Sequence, residues 1–270
     1  SDYLDGGDGN DTLTGGTGQL DVLIGGAGDD TFNSVGIGDT VTGGSGVDTV
    51  TFNLSAETNG ITINLLTGEG AGGTWTGVEF ISGTLGQGND SVIVGGMQLT
   101  SLDGQGGTDS LVLDYSGALS DGRTATQIVF DTLDRAGYSE SVRLSDGSNV
   151  APRFSSFESY NIVGTVGDDV INGVYANEGN RFIGGEGDDR LTGGAGSDYL
   201  DGGDGNDTLT GGTGADMIGG GLGIDTISLG SGLDELFGSL EELDGDWVSG
   251  FGLGETDRKS TRLNSSHVSQ

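Results

Sequence analysis

From Gly184 to Phe237 the chain repeats a nine-residue unit six times without a slip: GGEGDDRLT, GGAGSDYLD, GGDGNDTLT, GGTGADMIG, GGLGIDTIS and LGSGLDELF. Aspartate holds the sixth position, at Asp189, Asp198, Asp207, Asp216, Asp225 and Asp234. A large apolar residue holds the eighth, at Leu191, Leu200, Leu209, Ile218, Ile227 and Leu236. The glycine-rich hexad suits neither a helix nor a strand interior, but it can close a tight turn whose carbonyls no Cβ obstructs. The three residues after it suit a short strand with the middle side chain facing inward. Two nonads then make one coil with a turn at each edge, and alternate repeats stack. Leu191, Leu209 and Ile227 fall on one sheet, and Leu200, Ile218 and Leu236 on the other.

The same arithmetic stacks Asp189, Asp207 and Asp225 along one edge and Asp198, Asp216 and Asp234 along the other, about 4.8 Å apart. Carboxylates that close repel unless a cation lies in the gap, and each should then serve the gaps on both sides of it. A flexible acidic linker shares the composition, but it has no need of an apolar residue at every ninth position.

The pattern GGxGxDxUx, with U a large apolar residue, resembles the hemolysin-type calcium-binding repeats of the RTX (repeats-in-toxin) family. That resemblance implies parallel β-rolls, Ca2+ held in the turns, type I export from a Gram-negative cell and folding outside it. Donor chemistry agrees. Calcium takes about six to eight oxygens and accepts backbone carbonyls beside carboxylates, whereas magnesium holds its waters. Soft ligands are lacking: there is no cysteine, and the single histidine, His267, lies in the terminal tail.

Residues 1–51 form a second block of the same kind, with Asp11, Asp21, Asp30, Asp39 and Asp48 in the ligand slot and Leu13, Leu23, Phe32, Val41 and Val50 in the core slot. Ser34-Val35 replaces the glycine pair before Asp39, so that turn reads as a weak site or none. Ser1–Gly18 is identical to Ser197–Gly214, either because a module recurs in a longer protein or because a piece has been duplicated. Between the blocks, residues 52–112 read as a degenerate β spacer with strands at Ile61–Leu65 and Val78–Ile81 and two near-repeats, carrying Asp90 with Val92 and Asp109 with Leu111. Residues 113–163 read as a β-rich insertion, its last strand running over Phe154–Val163. The insertion holds Arg123, Arg135, Arg143 and Arg153 and is the least acidic part of the chain. It is either a surface for a glycan or protein partner or a packed spacer. Residues 164–237 resume the roll with Asp169, then a degenerate turn carrying Asn180 in the aspartate slot.

Residues 238–256 resemble the segment that closes such rolls, with Trp247, Val248 and Phe251 as candidate caps. The acidic run Glu241, Glu242, Asp244 and Asp246 reads as a solvated loop, a further cation site being the alternative. Residues 257–270, opening DRKSTRLNSSH, resemble a translated sequencing adapter and should pack against nothing. The chain also starts within a repeat, so both ends read as artificial.

Composition closes off several functions. A formal charge of −33 argues against nucleic acid or an anionic membrane as partner, and no apolar run reaches the ~18 residues of a membrane span. No HExxH or GxSxG motif occurs, and a Ser-His-Asp or Cys-His arrangement lacks its histidine outside the tail. Repeat position explains the abundant carboxylates better than acid–base catalysis does. The expectation is therefore an all-β chain, two parallel β-roll blocks flanking a small β-rich insertion, with no catalytic residues. It would bind calcium as part of a secreted or cell-surface adhesin or toxin, or as the non-catalytic part of a secreted enzyme.

Overall fold

The computed structural model describes residues 1–16, 20–95, 99–117, 124–131, 138–151, 153–174, 176, 178–239, 242–250, 256–257 and 268–269. These residues form strands and turns and no helix. The chain divides into two units, Ser1–Leu113 with Pro152–Phe157, and Asp114–Ala151 with Glu158–Gln270. Each is a β-solenoid of two mainly parallel sheets.

In the second unit one sheet runs through Ser159–Val163, Arg181–Glu186, Tyr199–Asp204, Met217–Leu222 and Glu235–Leu236. The other runs through Val170–Asn172, Arg190–Ala195, Thr208–Thr213, Thr226–Ser231 and Trp247–Ser249. Register follows the repeat: Leu191 lies opposite Leu209, and Leu209 opposite Ile227, while Leu200 lies opposite Ile218, and Ile218 opposite Leu236. All six are buried, each worth roughly 1.5–3 kcal/mol of transfer free energy. The regular strands are six residues long rather than three, because Gly194 pairs with Gly212 and the ladder continues through the glycine pair into the turn.

The insertion supplies the first strands of the second sheet. Ala125–Asp131 pairs antiparallel with Tyr138–Leu144 and parallel with Val170–Asn172, which sets Phe130 opposite Ile171. Phe130, Tyr160 and Phe182 then pack as a buried aromatic cluster, with ring centroids 5.1 Å and 6.3 Å from that of Phe130. Arg123 and Arg135 lie outside the described residues; Arg143 is exposed.

In the first unit the stack Leu4, Leu23, Val41 runs on to Trp75, and Leu13, Phe32, Val50 runs on to Ile81, whose strand pairs in turn with Leu99–Asp103. Trp75 arrives on an antiparallel excursion, Thr62–Asn64, Glu69–Gly70 and Gly73–Thr76, which is the spacer seen in the sequence. The expected strand Phe154–Val163 is broken. Arg153–Ser155 ends at Ser156, whose φ of 59° turns the chain away, and Ser159–Val163 begins anew in the second unit.

At the far end Val248 continues the core stack beyond Ile227, and Trp247 is 58% exposed. Phe251 lies outside the described residues. So does most of the terminal segment, Lys259 and His267 included, yet Val268–Ser269 pairs with Val248–Ser249 and Thr256–Asp257 with Glu235–Leu236, against the expectation that this segment meets nothing.

Candidate metal centres

Most of the repeat turns begin with a glycine pair, and two geometric facts explain why. The second glycine takes positive φ, for example +122° at Gly185 and +108° at Gly203, which costs an L residue free energy that glycine does not lose. A Cβ on the first would strike oxygen on two sides: at Gly184 it would sit between the Asp189 carboxylate and the Gly202 carbonyl of the next coil.

The aspartate columns form as the repeat predicts, and every candidate ligand except the half-buried Asp11 is buried. The two oxygens of a carboxylate are not equivalent. Its Oδ1 accepts the backbone N–H of the aspartate one coil earlier, as in Asp189 to Asp207 (2.8 Å), Asp207 to Asp225 (2.8 Å), Asp198 to Asp216 (2.9 Å) and Asp216 to Asp234 (3.0 Å). The first unit repeats this in Asp11 to Asp30 and Asp30 to Asp48, both 2.8 Å. Oδ2 lies beside the first glycine of its own turn, which a carbonyl of the following coil also approaches. The oxygens that share such a glycine are those of Asp11 with Gly25, Asp30 with Gly43, Asp48 with Gly77, Asp189 with Gly202, Asp198 with Gly211, Asp207 with Gly220, and Asp216 with Leu229.

A buried carboxylate oxygen with no hydrogen-bond donor is unfavourable unless a cation or a proton satisfies it. Oδ2 is buried without a hydrogen-bond donor at Asp11, Asp21, Asp30, Asp48, Asp189, Asp198, Asp207, Asp216, Asp225 and Asp234. Burial pushes Asp189 up to about 8, Asp207 to about 7 and Asp198 to about 6, against the ordinary 3.8, and also raises Asp48, Asp216 and Asp225.

Three predicted ligands are arranged differently. Asp39 Oδ2 accepts the Gly36 N–H (2.7 Å), Asp90 Oδ2 the Gly86 N–H (3.0 Å), and Asp169 Oδ2 the Thr165 N–H (2.7 Å) and hydroxyl (3.1 Å). One backbone angle goes with the difference in the repeat turns. The second turn residue has positive φ before each of these ten aspartates, but not at Val35, Gly86 or Thr165. Gly86 shows that the angle matters rather than the residue type. Asp109 belongs with the ten by this measure, since Gln105 before it sits at +71°; its Oδ1 accepts the Asp90 N–H.

Two acidic residues that the sequence reading did not place join the columns. Asp246, read as part of a solvated loop, is 2% exposed, accepts the Asp225 N–H (2.9 Å) on Oδ1 and has no donor on Oδ2. The clue was Val248, two residues later, in the core slot. Glu79, followed by Ile81, accepts the Asp48 N–H through Oε2 (2.9 Å). The fifth position also carries an exposed ladder: Asp168 accepts the N–H of Asp188, Asp188 that of Asn206, and Asn206 that of Ile224.

Among the described residues no three acidic or imidazole side chains converge on one point. Each slot offers one carboxylate with backbone carbonyls around it, a donor set that suits calcium and leaves a softer or smaller ion poorly held. The described residues include no helix long and apolar enough to cross a membrane.

The family model of the RTX calcium-binding nonapeptide repeat matches residues 1–19, 20–34, 175–209, 183–218 and 210–240. The matched segments are similar to that repeat, and Asp39, Asp48, Asp90, Asp109, Asp169 and Asp246 lie outside them. None of the curated proteins compared with the chain matches it.

Proposed function

We propose that the chain is a calcium-binding module of a secreted protein, a large adhesin or toxin, whose rolls order when calcium is bound outside the cell after type I export. The observation that carries this reading is the buried, donorless carboxylate oxygen, as at Asp207 Oδ2 near the Gly220 carbonyl, repeated from coil to coil. Bound there, calcium supplies the positive charge that lets adjacent coils stack. Asp11, Asp21, Asp30, Asp48, Asp109, Asp189, Asp198, Asp207, Asp216, Asp225 and Asp234 provide the carboxylates, and the first carbonyls of neighbouring turns join them. The secreted setting rests on the repeat type, and the adhesin or toxin role on the recurrence of Ser1–Gly18 at Ser197–Gly214. No catalysis is proposed.

Circular dichroism in chelator and across a calcium titration tests the module. β signal should be weak in chelator and rise steeply at about 10⁻⁴–10⁻³ M calcium. A full β spectrum in chelator would sink the reading, and an equal response to magnesium would reject the choice of ion.

A further inference from the structure

Asn180 stands where the repeat places aspartate, and its surroundings show what an occupied slot needs. The Tyr160 N–H donates to Asn180 Oδ1 (3.1 Å), which fixes the orientation of the amide. Its Nδ2 then donates to the Gly193 carbonyl (3.1 Å) and to Asp198 Oδ1 (3.1 Å). Gly193 is the first residue of the following turn, so this carbonyl is the counterpart of Gly202 beside Asp189 and Gly220 beside Asp207. An N–H here stands where the repeat slots elsewhere hold a donorless oxygen. On the opposite edge of the same coil, Asp169 takes the Thr165 N–H and hydroxyl on Oδ2 and the Ile128 N–H (2.7 Å) on Oδ1. In this coil Asn180 bridges to the carbonyl itself, and Asp169 Oδ2 has donors of the protein's own.

The coil also has a larger core than its successors. Phe130, Tyr160, Ile162, Ile171 and Phe182 are buried in it, whereas the regular strands bury aliphatic side chains only, chiefly the one at the eighth position. Three buried aromatics give this coil more transfer free energy than a Leu-only coil, and little of it depends on ions.

We propose that residues 158–183, with the hairpin Ala125–Asp131 and Tyr138–Leu144, fold without calcium and form the metal-free template on which the calcium-dependent coils 184–237 assemble. Neither Asp169 nor Asn180 binds an ion. The inference rests on the calcium reading for residues 184–237 and adds a boundary to it at Gly184.

Hydrogen–deuterium exchange on the full chain, in saturating calcium and in chelator, tests it. The amides of Ile128, Tyr160 and Thr165, which donate within this coil, should stay protected in chelator. Those of Asp207, Asp216 and Thr226 should lose protection by at least a hundredfold. Loss of protection in both sets at one calcium concentration overturns the template and leaves the calcium reading standing. Protection of both sets in chelator overturns both. The variant Thr165→Gly/Asn180→Asp opens the two slots, so residues 158–183 should become calcium-dependent and the bound calcium, counted by equilibrium dialysis, should rise. Unchanged protection in chelator and unchanged ion count overturn the proposal. Should the double variant fail to order in calcium, Asn180→Asp alone, which alters no turn backbone, carries the same two outcomes.

Discussion

The coil at residues 158–183 and the coils at 184–237 follow one backbone path and differ in what closes their turns. In the first, Asn180 and Thr165 bring hydrogens to the slot. In the others, the second glycine has positive φ and a carboxylate oxygen is left without a donor near a carbonyl. The fold therefore tolerates either solution. On the calcium reading proposed above, dependence on the ion goes with the missing donor, and in the repeat turns the missing donor goes with positive φ at the second glycine.

The largest effect should come from the glycine itself. Gly203 sits at φ +108°, and a Cβ there would run into the Gly185 carbonyl. Gly203→Val should abolish ordering of residues 184–237 even in saturating calcium, a cost of several kcal/mol from backbone strain and the clash together. The same position in the closed coil is Thr165, without positive φ, where Thr165→Val keeps the N–H donor and should leave the coil folded. Circular dichroism of the two variants in calcium compares them directly. Equal damage would mean that the two turns do not differ as described.

Acid should narrow the difference between the coils. A folded-state value raised above the unfolded one means the folded chain holds a proton that the unfolded chain has released. Its contribution to stability is therefore complete below about 4 and fades as pH rises. It is lost above about 6 for Asp198, 7 for Asp207 and 8 for Asp189. A protonated Oδ2 can donate to the nearby carbonyl as the Asn180 amide does. In chelator, residues 184–237 should thus be more ordered at pH 4–5 than at pH 8. Exchange protection that rises with pH in chelator would reverse the sign and refute the argument.

Much of this was legible in the chain. Strict nine-residue spacing gave the coil, the register of Leu191 on Leu209, and the aspartate columns, because a parallel ladder repeats whatever the sequence repeats. It also gave warning at Ser34-Val35 and at Asn180, where the pattern lapses. What stayed hidden depends on backbone angles rather than residue types. Gly86 looks like a normal turn glycine, yet it lacks positive φ and donates to Asp90, while Gln105 takes positive φ without being glycine. The split of each carboxylate between an oxygen that accepts a backbone N–H and one without a donor was equally invisible, since both oxygens belong to one letter of the sequence. Asp246 was missed because its turn has no glycine pair, leaving Val248 in the core slot as its one clue.

The finest test separates an oxygen from a charge. Asp207 and Asp204 stand three residues apart in one turn and carry the same formal charge. Asp207 is buried and gives Oδ2 to the slot, whereas Asp204, at the variable third position, is exposed and contributes its carbonyl to the Gly187 N–H (2.8 Å). Asp207→Ala removes the slot oxygen and the acceptor for the Asp189 N–H, so the calcium midpoint should rise by roughly tenfold. Asp207→Asn can copy Asn180, its Nδ2 donating to the Gly220 carbonyl while Oδ1 keeps the Asp189 N–H. That variant should bind fewer ions than the parent and order at no higher calcium. Asp204→Ala leaves its backbone carbonyl in place and should shift the midpoint by less than about twofold, the screened effect of one surface charge. Ion counts and midpoints for the three variants decide the matter. If Asp204→Ala and Asp207→Ala shift the midpoint alike, the carboxylates act as bulk negative charge. If Asp207→Asn behaves as Asp207→Ala does, the likeness between Asn180 and a filled slot is lost.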